Sequence, residues 1–410
     1  MTETQLTIHR LGHQGDGIAP GPVFVPLTLP GEVVAGAVEG DRMDAPRIVT
    51  PSSDRVRAPC PHFKTCGGCA LMHASDGFVA TWKAQVIETA LAAHGLTAEM
   101  RPTLTSPARS RRRATLSGRR TKKGALVGFH GRRSDVIVSL TECHVIAPEL
   151  FALIPVLEEI VKLGASRSAT LSFALTLTET GIDCAVSGGK PLDGPLRAAL
   201  PRFRDRITRL TWGGEPVYAD TAPRLSFGPV TVNPPPGAFL QATAEGEGAL
   251  YAAVSEALEG ATRIADLFAG CGTFALPLAT HAPVHAVEGD DALVAALLHG
   301  ARHAPGLRPV TTETRDLFRR PLLPEELARF DGVVIDPPRA GAEAQTRALA
   351  QARVARIAMV SCNPVTFARD AALLTQAGYR LNWVQPVDQF RWSPHVELAA
   401  SLSLPHLSAN

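Results

Sequence analysis

From about residue 262 to residue 403 the chain alternates short apolar runs with helical stretches, and this alternation limits the fold more than any other feature. Runs at 262–268, 284–288, 308–313, 332–336, 354–361, 379–387 and 396–403 read as strands, with helices between most of them. Parallel neighbours need long crossovers, so the order predicts a doubly wound, mainly parallel α/β sheet. Open sheets of this kind hold their ligands outside the carboxyl ends of the strands. The chemically unusual residues of this sequence fall at those ends.

The first strand runs into Asp266-Leu267-Phe268-Ala269-Gly270-Cys271-Gly272-Thr273-Phe274. Gly270 and Gly272 let the backbone approach a ligand, although Gly-x-Gly alone is a weak signal. Glu288 ends the second strand where a ribose diol would lie, and Asp316 follows the third where an adenine amine could be held. Acids at successive strand ends, with no helix-tip pyrophosphate site, point to S-adenosylmethionine rather than a dinucleotide.

The fourth strand ends at Asp336-Pro337-Pro338-Arg339 and the fifth at Ser361-Cys362-Asn363-Pro364, and Glu397 follows His395-Val396 at the head of the last apolar run. Enzymes that methylate exocyclic amines use an Asn/Asp-Pro-Pro-aromatic signature and no thiol. Here Arg339 replaces the aromatic and Cys362 follows one strand later, which implies a carbon acceptor. Carbon 5 of uracil is a poor nucleophile until a thiolate adds at carbon 6; it can then attack a sulfonium methyl. A base must afterwards take the carbon 5 proton. Cys362 suits the first task and Glu397 the second. Alone, Cys362 reads as a structural cysteine and Glu397 as a surface acid; together they reverse both readings.

At 410 residues the chain is too long for one ordinary core, and its 45% apolar and 20% charged content is that of a soluble globular protein. Residues 1–55, with short β-runs and Gly15-Asp16-Gly17 and Leu29-Pro30-Gly31-Glu32 turns, suit a five-stranded OB-like barrel. Cys60, Cys66 and Cys69 then crowd into ten residues, and the next cysteine is Cys143. Such spacing favours a metal or cluster site over packing, and zinc and iron–sulfur are both allowed by four thiolates. An amphipathic helix is expected at 78–94, with Trp82, Val86, Ile87 and Leu91 on one side. Between Arg109 and Arg133 there are ten Arg or Lys and no acid, on an expected hairpin, which favours a phosphate-rich partner. Cys184 reads as a buried, inert thiol. The start of the chain lacks a signal-peptide pattern and no apolar run is long enough to span a membrane, so a cytoplasmic, monomeric protein is expected.

The residues quoted, with the Cys-x5-Cys-Gly-Gly-Cys run, Phe239-Leu240-Gln241 and Gly12-x-x-Gly15-Asp16-Gly17-Ile18-Ala19, together resemble the bacterial RNA uracil-5 methyltransferases. Their closest likeness is to the 23S ribosomal RNA members, which carry a TRAM domain and a [4Fe-4S] site. The resemblance implies a Rossmann-like class I methyltransferase domain at 78–105 and 229–410. Ahead of it come an OB-like TRAM β-barrel at 1–55 and a β-rich iron–sulfur domain at 56–77 and 106–228. It also implies that Cys60, Cys66, Cys69 and Cys143 hold the cluster, and that Gln241, Phe268, Thr273, Glu288, Asp316 and Asp336 contact S-adenosylmethionine. Cys362 becomes the nucleophile and Glu397 the proton acceptor. The expected substrate is a uridine of 23S rRNA. The same reaction on tRNA is the nearest alternative, and an inactive RNA-binding protein is the other. Thr243 stands where the family has Asn, and Arg391-Trp392-Ser393-Pro394 replaces a Gln-rich approach to the final His-Val-Glu.

Overall fold

The structure, a computed structural model, describes residues 3–405. Its largest sheet has nine strands. In spatial order they are Val310–Thr314, Val284–Glu288, Ile264–Leu267, Gly332–Ile335, Arg356–Ser361, Glu397–Ser403, Arg380–Asp388 and Glu99–Met100, with Leu104–Thr105 also on Arg380–Asp388. The first five run parallel, and Glu397–Ser403 is antiparallel to both its neighbours. All seven expected strands are therefore present. The order reverses between Ile264–Leu267 and Gly332–Ile335, the switch point at which doubly wound sheets bind ligands.

Alternate residues of these strands feed two cores on opposite faces, as the two-residue period requires. Ala265, Leu267, Val333, Ile335, Ile357 and Met359 belong to one core, and Ile264, Val334, Ala358 and Val360 to the other. Helix Asp76–Ala92 begins at Ser75, whose hydroxyl accepts from the Phe78 N–H at 3.2 Å. It sends Ile87 and Leu91 into the first core although it lies far upstream in the chain. Its Lys83 forms an ion pair of 2.5 Å with Asp388, both side chains fully buried. Breaking such a pair strands a charge in the interior, at a cost of about 3–5 kcal/mol.

A second sheet of seven strands runs Ile137–Ser139, Gly124–His130, Arg113–Thr121, Thr170–Thr178, Gly181–Ser187, Arg209–Trp212 and Glu215–Ala219. The Arg-rich segment forms its hairpin, with Gly124 opposite Thr121. Cys184 is fully buried in this sheet's core, and burial pushes its thiol up.

Two expectations change. The amino-terminal region has six short strands in two three-stranded sheets, Thr4–Thr7 with Val33–Gly36 and Arg47–Thr50, and Arg10–Leu11 with Gly17–Ala19 and Val23–Val25. The shortest, Arg10–Leu11, pairs with Gly17–Ala19 across the turn at Gly15, whose φ of 82° suits glycine. Ile8, Ala19, Val25, Val34 and Met43 form a shared core. The expected boundary at 228/229 falls inside a hairpin, Leu225–Phe227 with Val230–Val232. Phe227, Val230 and Val232 pack with Leu250, Leu278 and Leu297 of the large-sheet region, so that unit begins before Leu225.

Candidate active site

Register fixes the centre of the site. Ser361 pairs with Leu398 in antiparallel strands, so the residue after Ser361 comes beside the residue before Leu398. Those residues are Cys362 and Glu397. The Cys362 thiol is half-buried and pushed up, chiefly by burial, then by the charges of Glu397 and Asp336, with Arg339 opposing them. Asn363 caps helix Pro364–Gln376 by accepting from the Val365 N–H at 3.1 Å. Its side-chain amide donates to the Arg339 carbonyl at 2.9 Å, and Thr366 Oγ1 donates to the same oxygen at 3.2 Å. The Asp-Pro-Pro-Arg loop is thus tied to the turn that carries the thiol. Gly341, at φ 74°, completes that loop where a Cβ would lie 2.6 Å from the Arg369 guanidinium.

Glu397 is 4% exposed, and burial raises its carboxyl to about 8, with Asp336 adding to the rise. The Gln389 side-chain amide donates to Glu397 Oε2 and also to Gln241 Oε1 at 2.6 Å. Gln389 Oε1 accepts from the Ala242 N–H at 2.6 Å. Gln241 in turn donates to Asp336 Oδ2 at 3.5 Å. Burial pushes the Asp336 carboxyl up to about 7. Glu397, Gln389, Gln241 and Asp336 therefore form one buried polar network beside the thiol, in which the charge of each acid depends on the other's. Gln389 carries no motif, and its role depends on Gln241, 148 residues away in the chain.

The glycine loop lies at the next strand end. Gly270 and Gly272 have φ of 56° and 102°, and a Cβ on Gly272 would lie 2.6 Å from Leu276 Cδ1. Glu288 binds this loop, accepting from the Gly270 N–H at 2.9 Å and the Gly289 N–H at 2.7 Å. Asp316 is exposed and accepts from the Phe318 N–H at 3.0 Å, while a Cβ on Gly289 would lie 3.8 Å from its Cα. Phe268, in the left-handed region at φ 64°, stands 5.4 Å from the ring of Phe318, which is 50% exposed. Phe318 carries no motif and is visible only in three dimensions. Thr273 is half-buried just before helix Ala275–Leu278. Asp266 is fully buried below this loop, its carboxyl raised well above the ordinary range by burial and then by Asp336. Thr243 caps helix Ala244–Ala257, accepting from the Gly246 N–H at 3.0 Å, and shares a 2.7 Å hydrogen bond with Ser106 Oγ. Thr243, standing where the family has Asn, thus makes polar contacts of its own.

Cys60, Cys66, Cys69 and Cys143 are free thiols. Burial raises Cys69 furthest, and the nearby charges of Cys143, Cys66 and Cys60 add to it. The four therefore face a common neighbourhood. Their loop lies along the end of the basic hairpin: the Gly67 N–H donates to the His130 carbonyl at 2.9 Å, and Arg132 donates to the Cys69 carbonyl at 2.8 Å. Among the described residues no group of three or more His, Cys, Asp or Glu is placed to hold a metal ion, and no helix is long and apolar enough to cross a membrane.

A family profile described as tRNA (uracil-5-)-methyltransferase matches residues 307–404. An uncharacterized RNA methyltransferase of Brucella suis is 45% identical over 97% of this chain and 97% of its own length. The 23S rRNA (uracil(1939)-C(5))-methyltransferase RlmD of Chromohalobacter salexigens is 34% identical over 97% of this chain and 88% of its own. The crystal structure of Pyrococcus abyssi tRNA (uracil-54, C5)-methyltransferase in complex with S-adenosyl-L-homocysteine superposes with a TM-score of 0.76. It covers 97% of this chain and 99% of the other at 24% identity, a likeness of fold.

Proposed function

The chain belongs to the RNA uracil-5 methyltransferase family, and we propose that it methylates carbon 5 of a uridine in 23S ribosomal RNA. The observation that carries the mechanism is the pairing of Cys362 with Glu397 at the end of one antiparallel register, beside Asp336. S-adenosylmethionine, when bound over the Gly270–Gly272 loop, supplies an electrophilic methyl group. Gln241, Phe268, Thr273, Glu288, Asp316 and Asp336 are the residues proposed to hold it. The rings of Phe268 and Phe318 offer an adenine an apolar edge.

Cys362 Sγ adds to carbon 6 of the uracil, which makes carbon 5 nucleophilic. Carbon 5 then gains the methyl group. Glu397, ionised and aligned by Gln389, removes the carbon 5 proton, and the electron pair returns to the ring as the carbon 6–sulfur bond breaks. Arg339 favours the thiolate by charge, and the amino end of helix Pro364–Gln376 lies directly after it.

Four thiolates allow zinc or an iron–sulfur cluster, and the family resemblance favours a [4Fe-4S] cluster, in which each thiolate would bind its own iron. It would act as a cross-link that fixes the cysteine loop against the basic hairpin. A groove of 530 Å³ beside that loop is lined by Arg42, Lys64, Arg132 and Arg133 with one acid, Asp44; although Arg42 and Arg133 also pair with Asp16, the excess of cations suits a nucleic-acid backbone. Further along, Phe239 is 58% exposed with the Arg113 guanidinium 5.2 Å from its ring, an arrangement on which an unstacked base can rest.

The RlmD relative favours ribosomal RNA, while the matching profile and the superposing structure favour tRNA as the second reading. Transfer of tritiated methyl from S-adenosylmethionine to 23S fragments and to tRNA, followed by digestion to nucleosides, tests both. Labelled 5-methyluridine from the ribosomal fragments is the expected result. Label only in tRNA overturns the substrate, and label in neither overturns the activity.

A further inference from the structure

The segment Gln389–His395 connects two adjoining strands, but it is not an ordinary loop. Trp392 is buried to 8% exposure in an apolar cluster with Phe63 and Met72, against which Cys60 and Cys69 pack. Its carbonyl accepts from two successive backbone donors of the cysteine loop, the Ala70 N–H at 2.8 Å and the Leu71 N–H at 2.9 Å. Trp392 also has φ of 61°, a conformation that costs a bulky residue about 1–3 kcal/mol and persists only where the surroundings impose it. At one end of the same segment Gln389 holds Glu397, and at the other His395 lies 3.2 Å from Arg339.

Gln389 is also held by the Ala242 N–H and by Gln241, and the middle of the strap is anchored by residues 76–111. Lys83 donates to the Phe390 carbonyl at 3.2 Å, Arg391 donates to Asp76 at 2.6 Å and to the Ser106 carbonyl at 3.2 Å, and the Arg111 guanidinium lies 5.2 Å from the Phe390 ring. Arg111 is also within electrostatic reach of Cys69, Cys143 and Glu397. The cysteine site and the base are thus joined by one short strap, although about 330 residues separate them in sequence.

We propose that Trp392 is a positioning residue: by docking the strap on the cysteine loop it makes the alignment of Gln389 and Glu397 depend on whether the four-thiol site is filled. This rests on the reading of Glu397 as the base and of the thiols as a metal-cluster site. An empty site frees the loop at Cys69-Ala70-Leu71, the two donors to Trp392 relax, and the strap loses its hold on Gln389. Glu397 itself stays in its strand. Binding of S-adenosylmethionine, at the far strand ends, is therefore spared while the proton-removing step slows.

The test uses full-length protein purified without air, with iron measured. Hydrogen exchange is followed in peptides covering 69–72, 389–397 and 356–361. The samples are wild type, wild type stripped of iron with ferricyanide and EDTA, Trp392→Ala and Trp392→Phe. Stripping is expected to speed exchange at 389–397 by about tenfold and to leave 356–361 unchanged. Trp392→Ala should do the same with its iron retained. Its kcat should fall about tenfold with little change in KM for S-adenosylmethionine, and Trp392→Phe should recover most of that loss. If stripping loosens 69–72 while 389–397 keeps its protection, the coupling is wrong. A Trp392→Ala enzyme with normal kcat, or with only KM changed, overturns it as well. The exchange result needs no RNA, so it decides the coupling even if wild type transfers no methyl; in that case the activity reading fails separately.

Discussion

The strand-end site and the cysteine loop are organised in opposite ways. Cys362, Glu397, Asp336 and Glu288 are each fixed by a strand of the large sheet, and their meeting follows from register. Between strand Arg47–Thr50 and helix Asp76–Ala92, by contrast, the described residues form no helix and no strand. The cysteine loop is held by turns, by Phe63 and Met72, and by contacts to the hairpin and to Trp392. Backbone pairing along whole strands specifies one region, whereas the other is held by isolated backbone contacts and side-chain packing. The fold around the first can tolerate loss of one of these side chains; the order of the second has less to fall back on.

Paired substitutions break or sharpen this contrast. Cys362→Ala should lower methyl transfer by about ten-thousandfold or more while leaving the midpoint of thermal unfolding nearly unchanged, because the thiol packs little. Cys69→Ser should do the reverse in kind: lost iron and a midpoint lower by about 5 °C or more, seen by calorimetry beside an iron assay. If both variants lose stability equally, the two regions are not organised differently.

A smaller effect is expected at Gln389. Its amide favours the ionised form of Glu397, so Gln389→Ala should raise that carboxyl further. The rising limb of the kcat profile should move to higher pH, with kcat near neutrality falling about tenfold or more. A profile that keeps its position would show that Gln389 does not govern the base.

The smallest effect concerns stability. Burial keeps Glu397 protonated up to about 8 in the folded protein, while an unfolded glutamate ionises near 4.3. Between those values the folded state binds more protons, so this residue makes stability fall as pH rises through the window, and the loss levels off above it. Glu397→Gln should therefore be more stable than wild type by a margin that grows from pH 5 to pH 8. Melts at several pH values check this, and a constant margin would contradict it.

Much of the large sheet was legible in the sequence because each strand is a local apolar run and each functional residue ends one. Cys362 and Glu397 could be singled out for the same reason. Gln389, Phe318 and Trp392 could not, since each acquires meaning from partners far away: Gln241, Phe268 and the cysteine loop. The expected boundary at 228/229 failed because the Pro-rich run after Val232 looks like a linker, whereas the hairpin before it already belongs to the large-sheet core. The first region has six strands rather than five, and strands as short as the two-residue Arg10–Leu11 lie below what a periodic pattern can reveal.

The most direct test of the central claim, covalent catalysis by Cys362, uses RNA containing 5-fluorouridine, in which no carbon 5 proton can be removed. Protein and S-adenosylmethionine are mixed with such 23S fragments and then denatured. The account predicts a denaturation-resistant adduct with wild type and none with Cys362→Ala. No adduct from a wild-type protein shown to bind S-adenosylmethionine, or an adduct that survives in Cys362→Ala, would contradict it.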